Sequence, residues 1–224
     1  MTYKAIIFDL DGTLLNTLED LGNAMNRTLK QEGFPVHAID AYRYFVGNGA
    51  VMLVKRALPE THRDDETIQR CLTLFRKDYR QHWNIKTRPY SGIPAMLDAL
   101  TARDMKMAVL SNKPDADTKR CVDELLPNWS FELVLGQRKG IPLKPDPTGA
   151  LEIARYVQLS PSDILYLGDT SVDMQTAIAA RMFPAGALWG FRPREELQQS
   201  GAQALLQQPM DILAVLNAAS ATPQ

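Results

Sequence analysis

The stretch IIFDLDGTLLNT, residues 6–17, decides the fold. It opens on β-branched and aromatic residues, as a buried strand does. It then delivers Asp9 and Asp11 two positions apart, followed by Gly12 and Thr13. Three more short apolar runs have the same character: Met107–Leu110, Ile164–Leu167 and Ala185–Leu188, with Phe131–Leu135 a weaker fifth. Each is continuous rather than alternating, the pattern of parallel strands covered on both faces. Helical patterns separate most of them. Met96, Leu97 and Leu100 mark one helix, and Val122, Leu125 and Leu126 another. A third spans residues 147–157, with Asp146 as N-cap and Pro147 at the first helical position. Strand–helix alternation predicts an α/β fold with a doubly wound, mostly parallel, Rossmann-like sheet.

From about Leu18 to His82 the alternation stops and no strand is expected. Leu18, Leu21, Met25 and Leu29 step at helical spacing, as do Ile68, Leu72, Phe75, Tyr79 and Trp83. Turn residues at Gly33–Pro35, Gly47–Gly49 and Pro59 divide these stripes. The expected organisation is a catalytic core of residues 1–15 and 89–224, with a helical domain, 16–88, inserted after the first strand.

Bulk properties exclude several classes. The chain has 224 residues and a formal net charge of −1, so no global field attracts nucleic acid or an anionic membrane. Cys71 and Cys121 form no C-x-x-C pair and fit a reducing compartment. No apolar run approaches membrane-spanning length, and Ala5–Phe8 is too short for a signal peptide. A soluble, cytoplasmic protein is expected, with a frayed small-residue tail from Ala218 to Gln224.

Ligands of open α/β sheets bind beyond the carboxyl ends of the strands. Asp9 and Asp11 follow the first run, and Ser111, Asn112 and Lys113 follow the second. Gly168, Asp169, Thr170 and then Asp173 follow the third, and Lys144 precedes the 147–157 helix. All fall on one rim. Four carboxylates together repel unless protonated or bound to a cation. All-oxygen ligands with few carboxylates suit Mg²⁺, which commonly shares a phosphate. Ser111, Lys144 and backbone donors near a helix start, at Asn112–Lys113, bind anions. The set therefore describes a phosphoryl site, in which a carboxylate can attack phosphorus. Each piece alone has a plainer reading: D-x-D as a turn, Asp173 as a helix N-terminal carboxylate, Ser111 as a cap, Lys144 as a solvated surface lysine. Coincidence of all of them on one rim favours chemistry. His37, His62 and His82 lack metal spacing and are expected to pack or face solvent.

The order D-L-D-G-T-L, V-L-S-N-K, L-K-P-D-P and Y-L-G-D-T-S-V-D resembles the haloacid dehalogenase superfamily of phosphohydrolases across essentially the whole chain. The resemblance implies Asp9 as nucleophile and Asp11 as general acid/base. Ser111 and Lys144 would bind the phosphoryl group, with Asn112 beside them. Asp9, Asp11, Asp169 and Asp173 would serve Mg²⁺, and the helical insert would be a mobile cap. YFVGNGA, residues 44–50, and GALWGFRPREEL, residues 186–197, look like the bacterial phosphoglycolate phosphatases, which implies 2-phosphoglycolate as substrate. A second carboxylate on the substrate needs a cation or N–H donors, for which Arg43 and Asn48 are candidates; Arg43 reads equally as a solvated helix charge. Two departures stand out. Relatives carry aspartate where this chain has Asn16, and alanine–glycine near Arg181–Met182. Three functions remain open: hydrolysis of a small phosphorylated metabolite, a phosphomutase acting on hexose phosphates, and a phospho-receiver module without turnover. The protein is expected to act as a monomer or homodimer, with no nucleic-acid or membrane partner.

Overall fold

The first strand, β1 (Ala5–Phe8), lies inside the sheet and is buried along its whole length. The structure is a computed structural model that describes residues 3–221. Beyond β1 the chain forms β2 (Leu15–Asn16), α1 (Leu18–Gln31), α2 (Tyr42–Phe45), α3 (Gly49–Ala57) and α4 (Asp65–His82). Then follow β3 (Arg88–Pro89), α5 (Ile93–Thr101), β4 (Lys106–Pro114), α6 (Asp115–Leu125), β5 (Leu133–Gln137) and α7 (Thr148–Tyr156). The chain ends with β6 (Ile164–Gly168), α8 (Ser171–Ala179), β7 (Phe183–Ala187), α9 (Arg194–Gln199), β8 (Ala204–Leu206) and α10 (Ile212–Ala221). Residues 222–224 of the tail lie outside the described residues.

Among the described residues the main sheet has six strands in the order β5-β4-β1-β6-β7-β8, and every pairing is parallel. Strand order reverses at β1: β4 and β5 lie on one flank, β6, β7 and β8 on the other. Such a switch point opens a crevice at the strands' carboxyl ends. Ala5, Ile7, Ala108, Leu110, Ile164 and Tyr166 form one core cluster with Ala150, Ile153 and Ala154 of α7 and Ala177 of α8. Alternate residues point to the other face, and Ile6, Phe8, Val109, Leu165 and Leu167 are all fully buried there. Burial on both faces is why the strands read as unbroken apolar runs.

The expected strands are present, with shifted edges. β7 begins at Phe183 rather than Ala185, since Pro184 lacks only a donor and its neighbours still pair with β6. β4 extends through the polar Ser111, Asn112 and Lys113 to Pro114, with its register against β5 broken between Leu110 and Pro114. Helix α7 starts at Thr148, so Pro147 rather than Asp146 stands at the N-cap, and the Asp146 carboxylate accepts from the Thr148 N–H at 2.9 Å from one residue earlier. Short β8 carries no run long enough to announce it.

Chain contacts divide the molecule into two compact units, residues up to Leu14 with those from Pro89 onward, and Leu15–Arg88. The second unit is helical. The stripes Leu21–Met25–Leu29 of α1 and Ile68–Leu72–Phe75–Tyr79 of α4 are buried, and Arg27 donates to both carboxylate oxygens of Asp78 across that helix pair. Buried Asp20 accepts from the Lys86 and Thr87 N–H groups and the Thr87 hydroxyl, tying the unit's exit to the first turn of α1. The His37 imidazole packs edge-on to Tyr42 and Phe45. Among the described residues no helix is long and apolar enough to cross a membrane.

The missing glycine near residue 181 has a structural answer. Helix α8 ends in a Schellman motif: Met182 N–H donates to Ala177 C=O at 2.8 Å and Arg181 N–H to Ile178 C=O at 3.0 Å. Arg181 itself adopts the left-handed conformation at φ 59° that glycine ordinarily supplies. A Cβ there costs about 1 kcal/mol. Arg181→Gly is therefore expected to raise stability by about 1 kcal/mol, read as a higher denaturant midpoint at unchanged slope; a lower midpoint would show that the arginine side chain outweighs its backbone strain.

Candidate active site

Three strand ends and two loops build the site, all within the α/β unit. The Asp9 N–H continues the ladder, donating to Leu167 C=O at 2.9 Å, so the carboxylate emerges where β1 and β6 part. Beyond it the chain folds back on itself: Thr13 and Leu14 N–H groups both donate to Leu10 C=O. Gly12 stands at φ 95°, and a Cβ on it would run into the Asp169 carboxylate. That turn carries the Thr13 hydroxyl to Asp169 Oδ1 at 2.9 Å. Asp169 Oδ2 accepts from the Phe191 N–H at 2.8 Å. Gly190 lets that segment approach, since its Cβ would overlap the Asp169 side chain. Trp189 Nε1 donates to Thr13 C=O at 2.9 Å. The LWGFRP segment thus braces Asp169, directly through the Phe191 N–H and through the Trp189 indole on Thr13.

Asp173 is the helix N-terminal carboxylate that the sequence suggested, and it also meets a buried cation. Its Oδ2 accepts from the Thr170 N–H and hydroxyl in a capping box at the start of α8. Its Oδ1 accepts from Lys144 Nζ at 2.7 Å. The same ammonium donates to Asp9 Oδ1 at 2.8 Å and Leu110 C=O at 3.0 Å. Lys144 is 5% exposed, so it is not the solvated lysine its residue type suggests. Asn112 holds its backbone on both sides, Oδ1 to the Lys144 N–H and Nδ2 to the Lys144 carbonyl, at 2.9 and 3.0 Å. Asn112 therefore positions Lys144. Ser111 is buried and its Oγ accepts from the Lys113 N–H at 3.2 Å.

Oxygens of Asp9, Asp169 and Asp173 lie within 4.8 Å of one another, all three residues buried. Asp11 stands apart from this trio, its carboxylate held by Lys113 Nζ at 2.9 and 3.1 Å. Arg43 and Asn48 belong to the helical unit. There Arg43 Nε donates to Asp40 at 2.6 Å and Asn48 Oδ1 accepts from Arg56 at 2.8 Å.

The charges of the trio do not balance locally. Burial, opposed by Lys144, holds the Asp9 carboxyl well above the usual range. Burial and the neighbouring Asp173 push Asp169 up to about 7, against the Phe191 N–H and Thr13. Burial alone would lower Lys144, but Asp173 and Asp9 outweigh it and hold the ammonium well above its ordinary value. Three buried carboxylates facing one ammonium make an all-oxygen site that a divalent cation fits. Asp9, Asp169 and Asp173 are the residues that would hold it.

The sequence profile of the haloacid dehalogenase-like hydrolases matches residues 6–187. The chain belongs to that family. As a haloacid dehalogenase-like enzyme it is a phosphatase, and its relatives point the same way. The chain is 30% identical over 214 residues to a phosphoglycolate phosphatase of Aquifex aeolicus, covering 96% of this chain and 97% of that one. It is 32% identical over 180 residues to the phosphoglycolate phosphatase of Thiobacillus denitrificans, covering 79% of each. A crystal structure from Lactobacillus delbrueckii subsp. bulgaricus, provisionally named a phosphoglycolate phosphatase, superposes at TM-score 0.91 with 32% identity, covering 96% and 99% of the two chains.

The lifted Asp169 pKa makes the metal-free phosphatase sensitive to pH. Between the ordinary carboxyl value of 3.8 and about 7 the folded state holds a proton that the unfolded state has released. Stability in chelator is therefore expected to fall as pH rises through that window, with the raised Asp9 carboxyl adding to the fall. Carboxylates with lowered values, such as Asp78 and Asp115, contribute only at more acidic pH. Thermal melts from pH 5 to 8 check this, with Asp169→Asn flattening the slope; a melting temperature that climbs steadily over that range in both proteins contradicts it.

Proposed function

We propose that the protein is a Mg²⁺-dependent phosphatase that hydrolyses a small phosphate monoester, 2-phosphoglycolate, through an aspartyl phosphate on Asp9. The observation that carries the chemistry is the Lys144 ammonium buried between Asp9 and Asp173, 2.8 and 2.7 Å from their oxygens. It favours the ionised form of the nucleophile while its remaining positive field is available to an incoming phosphoryl group. Support for the substrate comes from relatives named phosphoglycolate phosphatase that align over nearly the whole chain.

In this reading an Asp9 oxygen attacks phosphorus as the bond to the leaving oxygen breaks, and Asp11 gives that oxygen a proton. A water then attacks the phosphorus of the aspartyl phosphate, Asp11 takes the water's proton, and Asp9 and inorganic phosphate are released. Lys144 and Ser111 bind the phosphoryl oxygens throughout. Asp9, Asp169 and Asp173 would hold Mg²⁺, which would supply positive charge to offset the developing charge of the transfer.

Asp9→Asn is expected to reduce phosphate release to background while the circular dichroism spectrum stays native, because the amide is nearly isosteric but a poor nucleophile. Wild-type turnover in that variant removes Asp9 from the role. Lys144→Ala is expected to lower kcat by about 100-fold or more through lost charge stabilisation. In chelator no phosphate should be released from a panel of small esters; Mg²⁺ should restore activity and Ca²⁺ should not, since Ca²⁺ takes more ligands at longer distances. Full activity in excess chelator contradicts the metal assignment, and a hexose phosphate or nucleotide preferred over phosphoglycolate contradicts the substrate.

A further inference from the structure

Lys113 is a buried cation that the chemistry above leaves without a task. Its side chain is 4% exposed, and Nζ lies 2.9 and 3.1 Å from the two oxygens of Asp11, whose side chain is 12% exposed. Its backbone is anchored on both sides. The N–H donates to Ser111 Oγ, and the carbonyl accepts from the Thr118 hydroxyl at 3.1 Å. The ammonium is therefore aimed by the end of β4 and the first turn of α6. Taking a lysine and a carboxylate out of water is expensive, and a pair of this kind often adds little to stability.

We propose that Lys113 reads the carboxylate of the substrate, and that Asp11 occupies its place in the free enzyme. This rests on the phosphoglycolate reading and names the group that would give it selectivity. Asp11, as the acid for the leaving oxygen, must come within one hydrogen bond of that oxygen, and Lys113 Nζ already sits one hydrogen bond beyond Asp11. The ammonium is thus within about 6 Å of the leaving oxygen, two hydrogen-bond lengths. In phosphoglycolate a single methylene separates that oxygen from the carboxyl carbon, so the carboxylate oxygens lie about 3 Å from it, within the span to Lys113. A substrate of this shape can bridge from the phosphoryl pocket to Lys113; a longer or neutral one cannot. The cation candidate of the helical unit is less suited. Arg43 is held by Asp40 in a pair whose side chains are 37% and 81% exposed, where solvent screens charge recognition. Buried Lys113 is better desolvated, and an ammonium aimed by its backbone discriminates more strongly than one on a solvated stem.

The assignment is an exchange of partners. Substrate carboxylate and Asp11 compete for one ammonium, so a ligand lacking the second anion leaves the Lys113–Asp11 pair closed. Selectivity then has both an attractive element and a built-in competitor.

The test compares 2-phosphoglycolate with 2-hydroxyethyl phosphate, which has the same chain length and a hydroxyl in place of the carboxylate. For Lys113→Met the ratio of kcat/KM for the acid over the neutral ester is expected to fall by about 100-fold, with Lys113→Arg recovering most of it. Arg43→Ala should leave that ratio within about twofold of wild type. A second measurement does not depend on Lys113 variants folding. In the Asp9→Asn background, adding Asp11→Asn removes the competitor and should tighten phosphoglycolate binding at least 10-fold by calorimetry, while 2-hydroxyethyl phosphate gains much less. A wild-type ratio well above one that Lys113→Met leaves in place, or equal gains for both ligands in the Asp11→Asn comparison, overturns the assignment alone. A wild-type ratio below one overturns the phosphoglycolate reading and the assignment with it.

Discussion

A single ammonium organises the rim of the sheet. Lys144 Nζ lies between Asp9 and Asp173 with Leu110 C=O as its third acceptor, and it sits 5.8 Å from the centre of the Tyr166 ring. Its three donors are thereby all satisfied in a buried place, the condition under which a buried charge is tolerated. Remove that charge and three buried carboxylates face one another without the cation that pairs two of them. Much of the surrounding structure serves to keep this lysine where it is. The Asn112 amide grips its backbone on both sides, and the capping box of α8 orients the Asp173 oxygen that receives it.

The carboxylates are in turn held by groups whose other role is to shape the backbone. Thr13 closes the turn after β1 and donates to Asp169; Thr170 caps α8 and donates to Asp173. The Phe191 N–H reaches Asp169 because Gly190 leaves room. Each acid is thus fixed in one orientation before any ligand arrives, which is how a site supplies electrostatic stabilisation without reorganising during the reaction. The local excess of negative charge is what suits the trio to a cation.

The second buried lysine divides the labour. Lys144 holds Asp9 and Asp173, and Lys113 holds Asp11. Two cations in one β4–α7 neighbourhood, each paired with a different aspartate of the D-x-D, place the two acids in different environments although they are the same residue type. Two like carboxylates can then do different chemistry.

Much of the architecture was legible in the chain alone, for a local reason. Burial on both faces writes a parallel strand as an unbroken apolar run, and helix stripes recur every three or four residues, so β1, β4, β6 and the stripes of α1 and α4 could be read directly. The residues at the strand ends could be read too, because topology sends every parallel strand's carboxyl end to one rim. What no short window contains is who meets whom. Lys144 reaches Asp9 across 135 positions of sequence and Thr13 reaches Asp169 across 156. Lysine and threonine are ordinary surface residues by composition, and only folding makes Lys144 a buried ligand and Thr13 a brace. Asp11 read as one more carboxylate of a metal site; the tertiary structure also pairs it with Lys113, since β4 runs four residues past its apolar segment and carries that ammonium across the rim. Arg181 marks the same boundary at the level of backbone. The absent glycine was visible in the sequence, but that the chain would take the left-handed turn regardless was decided by the hydrogen bonds from residues 181 and 182 back to α8.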